Sequence, residues 1–493
     1  MSETSTPKTE HQLKTDQILL ELRGAVSVVE AISQRLREHL APVDATPAPP
    51  VPTAALLPPS VAPAPEPVDA LAAARVPAQP AHPSDKQEVG RVTAGRLRGA
   101  ASLTEDVRTG DGQLGVIRAI QRLEQKLGGR QAAPGEVLRV VVPRGLYRPF
   151  DWNHLSVHDP LACGAKLGAG HLFIDAQGPA VFDHGEPLPG GDSFPIRPTE
   201  QGAWLSFHGC RLNSRGRTIL LTHPKDKFHA MRLAFGDCTF TSAGAGSPDR
   251  NWGMQLYSTT VEMTDVVFDL GEILEHPVYV HGHGGRGAYF VRADWRGCGG
   301  NAIQMTQRPS ESTRWQEAWL VMKECRMAGF HRRTGRAGSA VTLAGSGLGL
   351  KMIDCSVSDL DSTDTVGQQG PDVGTNYGGL VAWLPTVDAD SYPDGYGNGD
   401  LELEGNVFAI RNGNRPLVDI QAARSVRMAN NVFLGRDVEI ARGAITSPRR
   451  VELAGNQAQD ALAKAREFLG WKDAPASRIL VGGQAVGPMQ YLG

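Results

Sequence analysis

Two strips of this chain are nearly the same. LELEGNVF begins at Leu401 and VRMANNVF begins at Val426, 25 residues later. Both read apolar, any, apolar, any, any, Asn, Val, Phe. Related strips precede them at Leu205-x-Phe207-x-x-Cys210, Leu233-x-Phe235-x-x-Cys238 and Val261-x-Met263-x-x-Val266. A weaker Tyr289-x-Val291-x-x-Asp294 follows, and then Leu320-x-Met322-x-x-Cys325 and Leu350-x-Met352-x-x-Cys355. Asn406, Asn431 and Asn456 hold the marked slot in the last three copies. The marks recur every 25 to 31 residues, with one step of 51. Alternating apolar residues describe a strand with one buried face. A repeat of this period describes a unit that cannot bury that face alone and must stack on its neighbours.

Between successive marks lies a second short strand, usually introduced by Gly, as in GMQLYS, PVYVHG, GNAIQMT, GSAVTLAG, GGLVAWL and PLVDIQ. Each coil therefore holds at least two strands, and the expected fold is all-β, a parallel β-helix solenoid of at least nine coils. The 57 glycines and the low aromatic content, 6%, suit a fold with many turns. Stacked residues form ladders. Asn in the marked slot is expected to pass amide hydrogen bonds from coil to coil, and Cys there to act as a small buried filler with a free thiol.

Other segments frame the repeat. Residues 1–40 carry a heptad seam, Ile18, Leu22, Ala25, Val29, Ile32 and Leu36, which predicts self-association as a coiled-coil dimer or trimer. Residues 41–92 form a Pro/Ala-rich linker with no expected core. Residues 93–136 hold a capping helix with Leu114, Ile117, Ile120, Leu123 and Leu127 on one side. The β-helix is expected over 137–456, and 457–493 form a C-terminal capping helix and tail. A net charge of −3 offers nothing to recruit nucleic acid. No run of 18 apolar residues crosses a membrane, and the six cysteines include no CxxC pair for a zinc ribbon. The opening MSETSTPKTEHQLK lacks a signal-peptide pattern, so the expectation is cytoplasmic synthesis with a virion or surface assembly as a destination.

The coil pattern resembles the right-handed parallel β-helix of the pectin-lyase-like superfamily, which includes pectate lyases, polygalacturonases, alginate epimerases and phage tailspikes. The resemblance implies a polysaccharide-directed outer face. It does not extend to the polygalacturonase signatures, since Asn-Thr-Asp, Asp-Asp and Arg-Ile-Lys are all missing. The layout of helix, spacer and β-helix resembles a tailspike or fibre. The first expectation is therefore a non-catalytic structural or binding protein that contacts a glycan or protein partner. The alternative is a polysaccharide lyase or glycoside hydrolase acting on an acidic polysaccharide.

Two regions stand out as candidate sites. The segments inserted in the 51-residue step carry Tyr377, Trp383, Tyr392 and Tyr396 with Asp388, Asp390 and Asp394. Flat rings can stack on sugars or cover a protein partner, and hard oxygen ligands on a loop suit Ca²⁺, although no EF-hand loop is matched and no fixed metal site is expected. The second region spans His281, His283, Asp294, Gln304, Arg308 and Arg314, where Gln304 and Tyr279 are expected to share an outward column.

Overall fold

The structure is a computed structural model. It describes residues 94–492 apart from intervening segments, the longest being 153–161, 223–230, 243–251, 308–317, 329–337, 359–376 and 384–397. The chain divides into two compact units, 1–77 and 78–493, and the described residues lie in the second. The coiled-coil seam and the Pro/Ala-rich linker fall outside them.

The described strands form three parallel ladders that wind repeatedly around one core. A representative coil runs through Met231–Gly236 in ladder one, Thr239–Ser242 in ladder two and Trp252–Tyr257 in ladder three. The next coil starts with Thr259–Thr264, which pairs with Met231–Gly236 residue for residue. Such pairing repeats from Val137–Val142 to Arg450–Ala454 in ladder one, so the chain is a parallel β-helix. The stacking distance is about 4.8 Å per coil.

The two apolar residues of each strip point inward. Leu205, Phe207, Leu233, Phe235, Val261 and Met263 are all buried. Aromatic rings continue the stacking inside, with Phe240 to Phe268 and Phe268 to Trp295 each 5.0 Å between centroids. The fourth copy of the strip, at Tyr289, sits one residue earlier than its sequence suggested. Its inner residues are Ala288 and Phe290 and its mark is Ala293, all at most 1% exposed. Tyr289 and Val291 consequently face outward, because a one-residue slip exchanges the faces of a strand.

A sharp bend joins ladders one and two in every one of these coils. The residue just before the mark has left-handed backbone: Asp237, Asp265, Arg292, Glu324, Asp354 and Asn430 have φ between 50° and 56°, and Gly209, Gly405 and Gly455 share the conformation. A Cβ at Gly405 would lie 2.3 Å from the Asp354 carboxylate, so the small residue also makes room for its neighbour in the stack. Behind this bend the Asn ladder forms as expected. Asn406 donates to Asn431, and Asn431 to Asn456, through both backbone N–H and side-chain amide at 2.9–3.0 Å. Their Nδ2 groups also donate to the carbonyls of Met352, Leu403 and Met428. Cys210, Cys238, Cys325 and Cys355 fill the same slot as buried free thiols.

The parallel pairing reaches beyond the 137–456 limits read from the sequence. Ala101–Asp106 adds a ladder-one strand before Val137–Val142, and Ile479–Val481 extends ladder three. Helix α1 (Ala94–Ala100) precedes the first strand, and helix α2 (Gly115–Lys126) caps the core with Val116, Ile117, Ile120 and Leu123. Helix α3 (Gln459–Leu469) does not plug the other end. It packs Leu462, Ala465 and Leu469 on the outside of ladder two against Ala409, Val432 and Leu434. At the C-terminal side the final strands reverse direction: Gln484–Val486 pairs antiparallel with Ile479–Val481, and Gln490–Leu492 antiparallel with Arg450–Ala454. No helix among the described residues is long and apolar enough to cross a membrane.

Candidate functional site

The residue between the two apolar positions of each strip points outward, so ladder one carries its outer side chains in columns. One column runs His171, Trp204, Arg232 and the next runs Phe173, Ser206, Ala234, Glu262, Tyr289. A third runs Asp175, His208, Gly236, Thr264, Val291. Ala234 lies between Ser206 and Glu262, and Gly236 between His208 and Thr264, each smaller than both its neighbours. They form the floor of a hollow of about 50 Å³, bounded by Ser206 and His208 on one side and by Glu262 and Tyr289 on the other.

The first column is a stack. The His171 and Trp204 rings lie 4.0 Å apart and 3° from parallel, and the Arg232 guanidinium stands 5.2 Å from the Trp204 ring centre. Cation–π attraction orients Arg232. Burial together with the Arg232 charge pushes His171 down to about 3, so the ring is neutral, and its Nε2 shares a 2.6 Å hydrogen bond with Ser206 Oγ.

Beside this stack, burial raises the Glu262 pKa, and the Arg232 charge opposes the rise without cancelling it. Burial raises Tyr289 as well, and the neighbouring Glu262 charge adds to that shift. A partly buried carboxyl and a phenol thus border one hollow, and a nearby guanidinium acts on both through its charge. Such a set can donate and accept hydrogen bonds to hydroxyls, hold a carboxylate through Arg232, and supply a proton from Glu262. His208 Nε2 lies 2.9 Å from Asp237, and its Nδ1 lies 3.7 Å from Asp175. Burial alone would raise Asp175, but hydrogen bonds from Arg98 and Arg139 hold it below the usual carboxylate range.

The residues singled out from sequence fall elsewhere. His281 lies in ladder three, stacked on Tyr257 at 3.9 Å and edge-on to Tyr279, with Thr306 Oγ1 at 3.4 Å. Gln304 is the register partner of Tyr279, as expected, and accepts a hydrogen bond from Asn301 at 2.7 Å. Asp294 is not part of that face. It opens a ladder-two strand and pairs with Arg296 at 2.6 Å. His283, Arg308 and Arg314 lie outside the described residues. Tyr377 and Trp383 terminate the ladder-three strand Tyr377–Trp383, in register with Gly338 and Ala344. Tyr392, Tyr396, Asp388, Asp390 and Asp394 lie outside the described residues, and so does any Ca²⁺ site they would build. Among the described residues no cluster of three or more His, Cys, Asp or Glu side chains is arranged to hold a metal.

Sequence reasoning missed His171, Trp204, Arg232, Glu262 and Tyr289. A signal existed, because Glu262 and Tyr289 occupy the intervening position of adjacent strips and align once the fourth copy is set in its true register.

Neither family models nor curated protein sequences give a match to this chain. Among solved structures, the A-module of the mannuronan C-5 epimerase AlgE4 of Azotobacter vinelandii is similar at 12% identity and a TM-score of 0.34. The alignment covers 73% of this chain and 94% of that module.

Proposed function

We propose that the chain is a glycan-binding β-helix protein whose ladder-one face contacts an extended polysaccharide. The observation that carries this reading is the pair Glu262 and Tyr289 at a hollow floored by Ala234 and Gly236, with the Arg232 charge acting on both. A solenoid needs only inward residues for its core. Partly burying a carboxyl on its outer surface is unfavourable unless that group has a partner or a task. A row of coils about 4.8 Å apart also offers repeated contacts to a repeating polymer. In this reading the N-terminal heptads join copies into an oligomer, and the layout is that of a fibre or spike. Affinity electrophoresis against alginate, polygalacturonate, hyaluronan and dextran tests it. At least one polymer should retard the protein, and Glu262→Gln with Tyr289→Phe should abolish the retardation without lowering the melting temperature. Equal mobility in all four gels would refute the assignment.

A second reading is a polysaccharide lyase or glycoside hydrolase, favoured by the raised Glu262 and Tyr289. A carboxyl whose pKa burial raises, beside a phenol, is a candidate for general acid–base work. Formation of unsaturated ends or reducing ends from the bound polymer, lost in Glu262→Gln, would establish it. Binding without either product would leave the non-catalytic reading in place.

A further inference from the structure

The ladder-one face differs at its two ends. Toward the C-terminal coils the outer column continues in register from Tyr289 through Val321, Lys351, Glu402 and Arg427. Along this run Lys351 and Glu402 pair with each other, 11% and 18% exposed, and Arg427 beyond them is 52% exposed. Toward the first coils, helix α1 lies across the face. Leu97 is buried against Val137 and Phe173 in a small apolar cluster separate from the main core. Ala94 and Leu97 also border the hollow that Glu262 and Tyr289 border from the opposite side.

The helix is held by more than this contact. Arg98 grips Asp175 with two hydrogen bonds, at 2.7 and 2.8 Å. The Asp175 side chain is fully buried, and Arg139 binds it from its other side at 2.6 and 2.9 Å. Two guanidiniums on one buried carboxylate make a strong, directional anchor, because each bond is charge-assisted and breaking either leaves that charge less compensated. Neither Leu97 nor Arg98 contributes to the main core, so this anchor acts on the outer face alone.

We infer that α1 is an end-stop. A glycan lying along ladder one begins at the hollow, with its terminal residue against Ala94 and Leu97, and extends only toward the C-terminal coils. The protein therefore recognises a chain end, where one hydroxyl is free that an internal residue commits to a glycosidic bond. This rests on the glycan reading above.

Two measurements test the end-stop. The first is isothermal titration with length fractions of whichever of the four polymers binds most tightly. Wild-type protein should saturate at one protein per chain at every length, whereas Leu97→Ala and Arg98→Ala should bind in numbers that grow with chain length. Wild-type stoichiometry that rises in proportion to length would overturn the end-stop and leave glycan binding intact. Failure of all four polymers to bind would instead defeat the glycan reading. The second measurement needs no glycan: nitration of Tyr289 by tetranitromethane, followed by peptide mass. The phenol should react several-fold faster in both variants than in the wild type. Equal rates would mean that α1 does not wall the hollow, whatever ligand it takes.

Discussion

Glu324 adopts a backbone conformation that only Gly, Asn and Asp take up readily, with φ at 54°. Among the described residues its side chain makes only long ion pairs, 3.6 Å to Lys323 and 3.9 Å to Arg292, on an exposed edge where such pairs contribute little. Glu324→Gly should therefore stabilise the protein by about 1 kcal/mol in urea unfolding. A loss of stability would show that the charge matters more than the backbone. Asn431 is the opposite case. Its amide is fully buried and bonds to coils on both sides, so Asn431→Ala leaves several groups unpaired and should cost about 3 kcal/mol. The pH dependence follows from His171. Its folded-state pKa of about 3 lies below the free value of 6.5, so the neutral ring is favoured by folding. Stability from this source is complete above about pH 6.5 and is lost as the pH falls from there toward 3. His171→Phe keeps the stack on Trp204 and should flatten that part of the curve. Asp175 and Glu136, both held below the usual carboxylate range, lose their contribution further down, as the pH falls through their folded values. Urea midpoints measured between pH 7 and pH 4, in wild type and variant, separate the imidazole from the carboxylates.

At the scale of elements, the strands were legible because a period of two with buried large residues leaves little freedom. The solenoid, the Asn ladder and the thiol filler follow from that pattern, and the capping role of α2 from the one-sided helical spacing of Ile117, Ile120 and Leu123. The reading slipped where the inner residues are small. Ala288 and Ala293 resemble turn residues, and the larger Tyr289 and Val291 beside them look like the core set. That one-residue error turned Tyr289 inward and hid the outer column in which it follows Glu262. The site was thus in the sequence, but only in register. The docking of α1 and α3 was less legible, since a short amphipathic helix does not state which ladder it covers. Its consequence is testable. Leu462→Asp should release α3 from ladder two and speed amide exchange in Val432–Leu434 and Val407–Ala409. Exchange in the distant strand His171–Phe182 should be unchanged, because coils communicate mainly with their nearest neighbours. Faster exchange throughout would mean that the solenoid unfolds as one cooperative block.

Considered as a whole molecule, the β-helix is a stack in which every coil presents its successor with a row of unsatisfied donors and acceptors. Left open, such an edge is a template on which a second molecule can continue the same parallel pairing. Here the last rows meet strands running the other way, Gln484–Val486 and Gln490–Leu492. An arriving solenoid in the parallel sense finds the spacing of its hydrogen bonds mismatched along those ladders. Their reversed polarity thus acts as a terminator of growth. A chain shortened to end after Val481 should pass from clear solution to fibres that scatter light and bind thioflavin as concentration rises, while the intact chain stays dispersed.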